Sequence, residues 1–164
     1  MSMQPTKQQH NIAPLYDRFS TRLILGSFPS VLSRRDEFYY ANPQNRFWKV
    51  LAAVLGSPVP VTTEQKKALI LNNNLALFDV IADCEIVGSA DSRIKNAVAN
   101  DLSPLLSGSR ISKIFVNGKT AQKLYDKHLR SSVGIDCIYL PSTSPANAAF
   151  SLERLIEQWK ALVQ

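Results

Sequence analysis

Arg22-Leu23-Ile24-Leu25-Gly26, running directly into Ser27-Phe28-Pro29-Ser30, is the stretch on which the fold turns. Its apolar residues are consecutive rather than alternating, the pattern of a strand covered on both faces. Gly26 permits a tight exit and Pro29 stiffens the loop. Three more runs have the same character, at residues 75–81, 113–116 and 136–140. Helical periods separate them. Phe47, Val50, Leu51, Val54 and Leu55 make one helical face, and Ala121, Leu124, Tyr125 and Leu129 make another. Leu152, Leu155, Ile156, Trp159, Leu162 and Val163 form a third that closes the chain. A weaker helix covers Thr63–Asn72, where Thr62 and Gln65 have capping-box spacing. Strands alternating with helices imply an α/β fold, a three-layer α/β/α sandwich with a central, mostly parallel four-stranded sheet.

The length of 164 residues is enough for a single domain to bury a core without disulfides or metals. Residues 13–164 are expected to form that one domain, and the polar residues 1–12 are expected to fray. No repeat or long linker divides the chain. Lys and Arg outnumber Asp and Glu by 19 to 13, a net charge of +6. Such an excess suits a polyanionic partner, since each cation set against a phosphate releases counterions. It also suits a surface that is merely well solvated, and charge alone does not choose between the two. Cys84 and Cys137 stand apart in apolar surroundings, so reduced, buried thiols are expected. His10 and His128 are isolated, which leaves zinc almost no ligand set, and neither a metal nor a cofactor is expected. No apolar run reaches membrane-spanning length. With no secretory signal, a cytoplasmic, non-membrane protein is expected.

In open α/β sheets ligands bind outside the carboxyl ends of the strands. The loops there hold the unusual residues. Gly26-Ser27-Phe28-Pro29-Ser30 offers an aromatic face near the sheet edge, or simply a turn with Phe28 in the core. Phe38-Tyr39-Tyr40-Ala41-Asn42-Pro43-Gln44-Asn45-Arg46-Phe47-Trp48 concentrates aromatics, carboxamides and an arginine. Asn42-Pro43 reads as a helix N-cap followed by proline at the first helical position, and Phe47 and Trp48 as packing residues. That leaves Asn45, Tyr39 and Tyr40 without an evident structural task. Asn117-Gly118-Lys119-Thr120 opens a helix, whose free N–H groups and Lys119 charge suit a DNA phosphate as well as a plain glycine turn. Leu140-Pro141-Ser142-Thr143-Ser144-Pro145-Ala146-Asn147 is stiff and rich in hydroxyls, fit for phosphate contacts and for a wedge into DNA, or for capping the last helix.

Taken in order, these segments resemble the uracil-DNA glycosylase superfamily. Gly26-Ser27-Phe28-Pro29-Ser30 followed by Asn42-Pro43-Gln44-Asn45-Arg46-Phe47-Trp48 is similar to the mismatch-specific uracil-DNA glycosylases, which pair a GINPG loop with a downstream HPANRFW stretch. The loop at 141–147 resembles the superfamily's second motif, the DNA-intercalation loop, and the strand-Gly-Lys-helix at 114–120 has a counterpart there. The resemblance runs through residues 21–160, with Asn-Pro-x-Asn-x-Phe-Trp its most specific part. Phe28 stands where the mismatch-specific enzymes place their catalytic Asn. In that respect the chain resembles the hypoxanthine (deoxyinosine) DNA glycosylases, whose catalytic Asn lies in the later block. The Tyr39–Tyr40 pair and the DVIADCE…GSADS stretch at 79–92 are similar to that branch as well.

The resemblance implies a monofunctional DNA glycosylase that flips out a deaminated base from double-stranded DNA, hypoxanthine first, and hydrolyses its glycosidic bond. It implies Asn45 as the catalytic residue, positioning a water beside C1′, and it speaks against strong uracil excision. Phe28 and Tyr40 are expected to stack the base, with Tyr39 in the pocket or in the core. Backbone N–H groups of the Gly26-Ser27-Phe28 turn would stabilise the departing base. Lys119, Ser142 and Ser144 would hold phosphates, with Thr143 or Pro145 near the wedge tip. Asp36 and Glu37 read as water-activating acids or, more simply, as solvated loop charges. A monomer suffices for this chemistry. Mismatch uracil excision, a catalytically silent nucleic-acid-binding module and a flavodoxin-like small-molecule enzyme are the rival readings.

Overall fold

A computed structural model describes residues 6–86 and 94–164 of the chain. The elements in order are β1 (Thr6–Gln9), β2 (Arg22–Gly26), α1 (Val31–Asp36), α2 (Phe47–Leu55), α3 (Thr63–Asn72), β3 (Leu75–Asp79), β4 (Ile81–Ile86) and β5 (Ile94–Ala99). After these come α4 (Ser103–Ser107), β6 (Lys113–Asn117), α5 (Lys119–His128), α6 (Arg130–Val133), β7 (Cys137–Leu140) and α7 (Leu152–Trp159), closed by a 3-10 turn over Lys160–Val163.

The expected central sheet is present. Its order is β3-β2-β6-β7 and every neighbouring pair is parallel. With helices packed on it, the sheet makes a three-layer α/β/α sandwich. Leu23, Ile24, Leu25, Leu77, Ile114, Phe115 and Val116 are fully buried in its middle, as their unbroken apolar runs require. The α2 stripe packs against α7, the Phe47 ring meeting Trp159 edge-on at 5.8 Å between centroids. Thr62 and Gln65 form both arms of the expected capping box at the start of α3. No described helix is long and apolar enough to cross a membrane.

Two expectations fail. Residues 75–81 do not make one strand, because the chain changes sheet at Val80. The Val80 N–H donates to the Gly26 carbonyl of the parallel sheet, while its own carbonyl accepts from Asn100, the residue after β5 of the second sheet. Val80 and Ile81 are both fully buried and Asp79 before them is buried too, so burial continues through the break and conceals it. Beyond the break, β4 lies between β1 and β5 in a small antiparallel sheet that the sequence did not announce. The second failure follows from that sheet. The described residues 6–12 of the segment expected to fray are held: β1 pairs with β4, the His10 N–H bonds to the Ala82 carbonyl, and Ile12 enters the core. Lys7 and Gln9 are exposed and alternate with half-buried Gln8 and His10, so a polar strand covers one side of the domain without an apolar signature.

Candidate active site

The carboxyl ends of β2, β3, β6 and β7 open into a cleft of about 770 Å³. Gly26, Ser27, Phe28, Tyr39, Tyr40, Asn45, Lys119, Ser142, Thr143, Ser144 and Pro145 all line it, so the residues read from the sequence meet in one place. Asp79 and Asn117, which end β3 and β6, complete the floor.

Asn45 lies one residue before the Arg46 cap of α2. Asn42 does not cap that helix. Its carboxamide oxygen accepts from the Gln44 N–H at 2.9 Å and its carbonyl from the Asn45 N–H, so Asn42-Pro43 starts a turn and the helix begins at Phe47. The helix-terminal role passes to Asn45, whose Oδ1 accepts the Phe47 N–H at 2.9 Å. Because a backbone N–H can only donate, this contact fixes which end of the carboxamide is oxygen. A second donor meets the same oxygen, the Thr143 hydroxyl at 2.8 Å. Thr143 is itself locked by Asn117, which donates from Nδ2 to the hydroxyl at 3.0 Å and accepts the Thr143 N–H through Oδ1 at 3.0 Å. Protons therefore point one way along the chain Asn117, Thr143, Asn45. Oδ1 is doubly engaged, while Nδ2 of Asn45, a residue of the cleft lining, has no partner among the described residues.

The aromatic residues divide by what already holds them. The Tyr40 ring stacks on Phe47 at 4.0 Å between centroids, and its hydroxyl oxygen lies 3.3 Å from Nδ2 of Asn117. Phe28 is buried, its ring edge-on to His10 at 6.1 Å and covered by the Arg34 guanidinium at 5.3 Å. Tyr39 takes the core alternative: its hydroxyl donates to the Ala13 carbonyl at 2.9 Å, and its carbonyl receives the Trp48 indole N–H. Burial, with the Asp79 charge nearby, drives the Tyr39 phenol far above its ordinary value, so it stays protonated. Asp36 pairs with exposed Arg35, Glu37 ends α1 in a left-handed conformation, and neither lines the cleft.

The loop after β7 is a braced structure. Arg46 donates from its backbone N–H to the Thr143 carbonyl, and its guanidinium reaches the carbonyls of Phe150, Asn147 and Ser144 at 2.5, 2.9 and 3.3 Å. The hydroxyls of Ser142 and Ser144 accept from the N–H groups of Ser144 and Ala146, tightening the turns around exposed Pro145. Thr143, expected near the wedge tip, is instead fully buried in the carboxamide chain. Gly118 enters α5 with φ of 99°, and a Cβ there would stand 3.1 Å from the Ser142 Cβ, so glycine is needed for both conformation and space. Lys119 follows, exposed on the rim.

Sequence reasoning missed a buried pair behind the cleft wall at Asp79. His10, read as isolated, donates from Nε2 to Oδ2 of Asp79 at 2.8 Å. The only sequence sign was Asp79 at the head of the 79–92 stretch, whose residues 87–92 lie outside the described residues. Cys84 is buried as expected, whereas Cys137 is only half-buried. Among the described residues no three His, Cys, Asp or Glu side chains converge as a metal site.

The site is a carboxamide-and-aromatic cleft at the strand ends of a parallel α/β/α domain, walled by a braced Ser/Pro loop. The uracil DNA glycosylase superfamily model matches residues 13–163, and the chain belongs to that superfamily. It is 37% identical over 142 residues to a hypoxanthine DNA glycosylase of Methanosarcina acetivorans, covering 85% of this chain and 88% of that one. A hypoxanthine DNA glycosylase of Methanosarcina barkeri is 30% identical over 142 residues, with 85% and 89% covered. The solution NMR structure of a Methanosarcina acetivorans protein, described as a candidate uracil DNA glycosylase, superposes with a TM-score of 0.79. That match is at 30% identity and covers 97% of this chain and all of that one.

Proposed function

We propose that the protein is a DNA repair glycosylase that extrudes a deaminated nucleotide from double-stranded DNA, preferentially deoxyinosine, and hydrolyses its N-glycosidic bond to leave an abasic site. The observation that carries this reading is the Asn45 carboxamide on the cleft wall, with its Oδ1 held by two donors. The two Methanosarcina relatives named hypoxanthine DNA glycosylase support the same substrate.

As the glycosidic bond stretches, positive charge builds on the sugar and negative charge on the base. Groups already pointed at that charge cost no reorganisation when it appears. Nδ2 of Asn45 donates to the oxygen of a water beside C1′, whose other lone pair bonds to the sugar cation as the C1′–N bond breaks, and the proton the water sheds neutralises the departing base anion. The N–H groups of the Gly26-Ser27-Phe28 turn meet the departing base. The loop is pinned for this task, since the Gly26 and Ser27 carbonyls are taken by Val80 and Ile81. Phe28 and Tyr40 wall the base, Lys119, Ser142 and Ser144 hold the phosphates, and Pro145 stands at the wedge tip. Water is the nucleophile, so no cofactor is required and one protomer suffices.

The test is base release from duplexes carrying hypoxanthine, uracil or xanthine, read by alkaline cleavage of the abasic product at fixed salt. Wild type is expected to release hypoxanthine, and Asn45→Ala to lose most turnover while still binding the damaged duplex. Release of uracil alone would move the protein to mismatch uracil excision. Release of nothing would overturn the enzyme reading, and undiminished release by Asn45→Ala would overturn the role of that residue.

A further inference from the structure

Among the described residues, the buried side-chain donor that lacks a hydrogen-bond partner is Nη1 of Arg34. Arg34 sits in the last turn of α1 and does not itself line the cleft. Its guanidinium carbon lies over the Phe28 ring, 5.3 Å from the ring centre, and Phe28 is part of the cleft wall. The neighbouring Arg35 is paired with Asp36, but no described carboxylate pairs with Arg34. Burial weakens the guanidinium's hold on its proton and the nearby Cys84 thiol acts the other way, yet the group stays charged at neutral pH. A partly desolvated cation without a counter-charge is costly to keep, and a negative charge arriving across the ring would relieve that cost.

We infer that Arg34 is a positioned charge that stabilises the departing base anion across the Phe28 ring. The inference rests on the glycosylase reading above, in which Phe28 walls the base, and adds a residue to its chemistry. As the C1′–N bond breaks, its electron pair stays on the base, which is negative until the proton shed by the attacking water neutralises it. The cleft floor opposes that charge. Asp79 is buried there as a carboxylate, and its partner His10, whose Nδ1 accepts the Ile12 N–H, is neutral and leaves the charge uncancelled. Arg34 supplies the opposite sign. With 5.3 Å from guanidinium to ring centre and roughly 4 Å more to a base packed on the ring, cation and base stand about 9 Å apart. At an effective dielectric of about 20, half to three-quarters of a unit charge at that distance changes the rate roughly three- to tenfold. The bound substrate's base is neutral and gains little, so the effect falls on kcat rather than KM. Arg34 touches no reacting atom; it is a positioning residue that acts through Phe28.

The experiment varies the leaving group. Single-turnover release of hypoxanthine is compared with release of 8-azahypoxanthine, nearly the same shape but a more stable anion, from otherwise identical duplexes. Wild type, Arg34→Met, Arg34→Gln and Arg34→Lys are run together, with thermal melting to establish folding. Arg34→Met removes the charge and keeps an unbranched apolar stem, and Arg34→Gln carries the same readout if the Met variant does not fold. The neutral variants are expected to lose roughly three- to tenfold on hypoxanthine and clearly less on 8-azahypoxanthine, with duplex binding unchanged. Arg34→Lys, which keeps the charge, should recover most of the hypoxanthine rate. Equal loss on both bases, no loss in a folded neutral variant, or a Lys variant as slow as the neutral ones would overturn the inference while leaving the glycosylase reading intact. If neither neutral variant folds, wild type decides: equal rates on the two bases would mean that no charge builds on the leaving base, and would overturn it, whereas faster release of 8-azahypoxanthine would uphold it. Release of no base by wild type would remove the parent reading and the inference with it.

Discussion

Thr143 donates its hydroxyl proton to Oδ1 of Asn45 across 2.8 Å, tying the loop after the last strand to the residue that precedes the first long helix. The contact spans 98 positions of sequence, and its donor is fully buried. It does for Asn45 what a single backbone N–H cannot, since two donors converging on one oxygen fix both the rotamer and the amide's direction.

Thr143→Val should therefore impair chemistry more than binding. It keeps the shape of the side chain, removes the donor to Asn45 and takes an acceptor from Asn117. A lost buried hydrogen bond of about 1–2 kcal/mol predicts a fall in kcat of roughly tenfold with KM little changed. Thr143→Ser keeps the hydroxyl and should keep most of the rate. Single-turnover base release measures both, and equal loss in the two variants would make the methyl group, not the hydroxyl, the important part.

Arg46→Lys should act on the loop instead. The guanidinium reaches three carbonyls between Ser144 and Phe150, a fork that one ammonium cannot reproduce. The expected result is weaker binding of damaged duplex by several-fold, with faster hydrogen exchange confined to residues 144–150. Unchanged exchange in that loop would show that Arg46 does not brace it.

Much of this site was legible because its chemistry sits in the loops that end apolar runs. Gly26 to Phe28, Asn45, Lys119 and the 142–145 segment come together since all follow strands of one parallel sheet or precede helices packed on it. What the sequence hid is what depends on contacts between distant residues. Val80 changes sheets inside a run of buried residues broken in polarity only by Asp79, and burial does not name the partner. Thr143 reads as a surface hydroxyl like its neighbours, and only its burial against Asn117 and Asn45 separates it from Ser142 and Ser144. His10 lies in a polar segment with no periodic signal and gains its role from an aspartate 69 positions away.

Cys137 should be a sluggish thiol. Burial, joined by the Asp126 carboxylate 3.7 Å from its sulfur, pushes it from the ordinary 9.0 up to about 11. Thiolate, the reactive form, is then scarce at neutral pH. Alkylation of the folded protein at Cys137 should stay slow through pH 9 and quicken only as pH approaches 11, well behind the unfolded chain. The linkage has a definite sign: the folded thiol keeps its proton longer, so its contribution to stability is complete below pH 9 and is lost as pH rises through 11. Fast labelling of native protein at pH 8 would contradict this.

Gly26→Ala tests the packing beneath the cleft. The new methyl would stand 2.4 Å from Oδ1 of Asp79, and neither side yields easily. Gly26 is paired in register with Asp79, and its carbonyl is held by Val80. The carboxylate in turn is held by His10, so turning away breaks a buried hydrogen bond. Overpacking of this kind costs about 1–3 kcal/mol, read as a lower midpoint in chemical denaturation. The same argument predicts how it combines. Once His10→Phe has released the carboxylate, Asp79 can move aside, so the double variant should lose less stability than the two single losses added together. Strict additivity would mean that the methyl is accommodated by backbone movement instead, and that His10 does not fix where Asp79 stands.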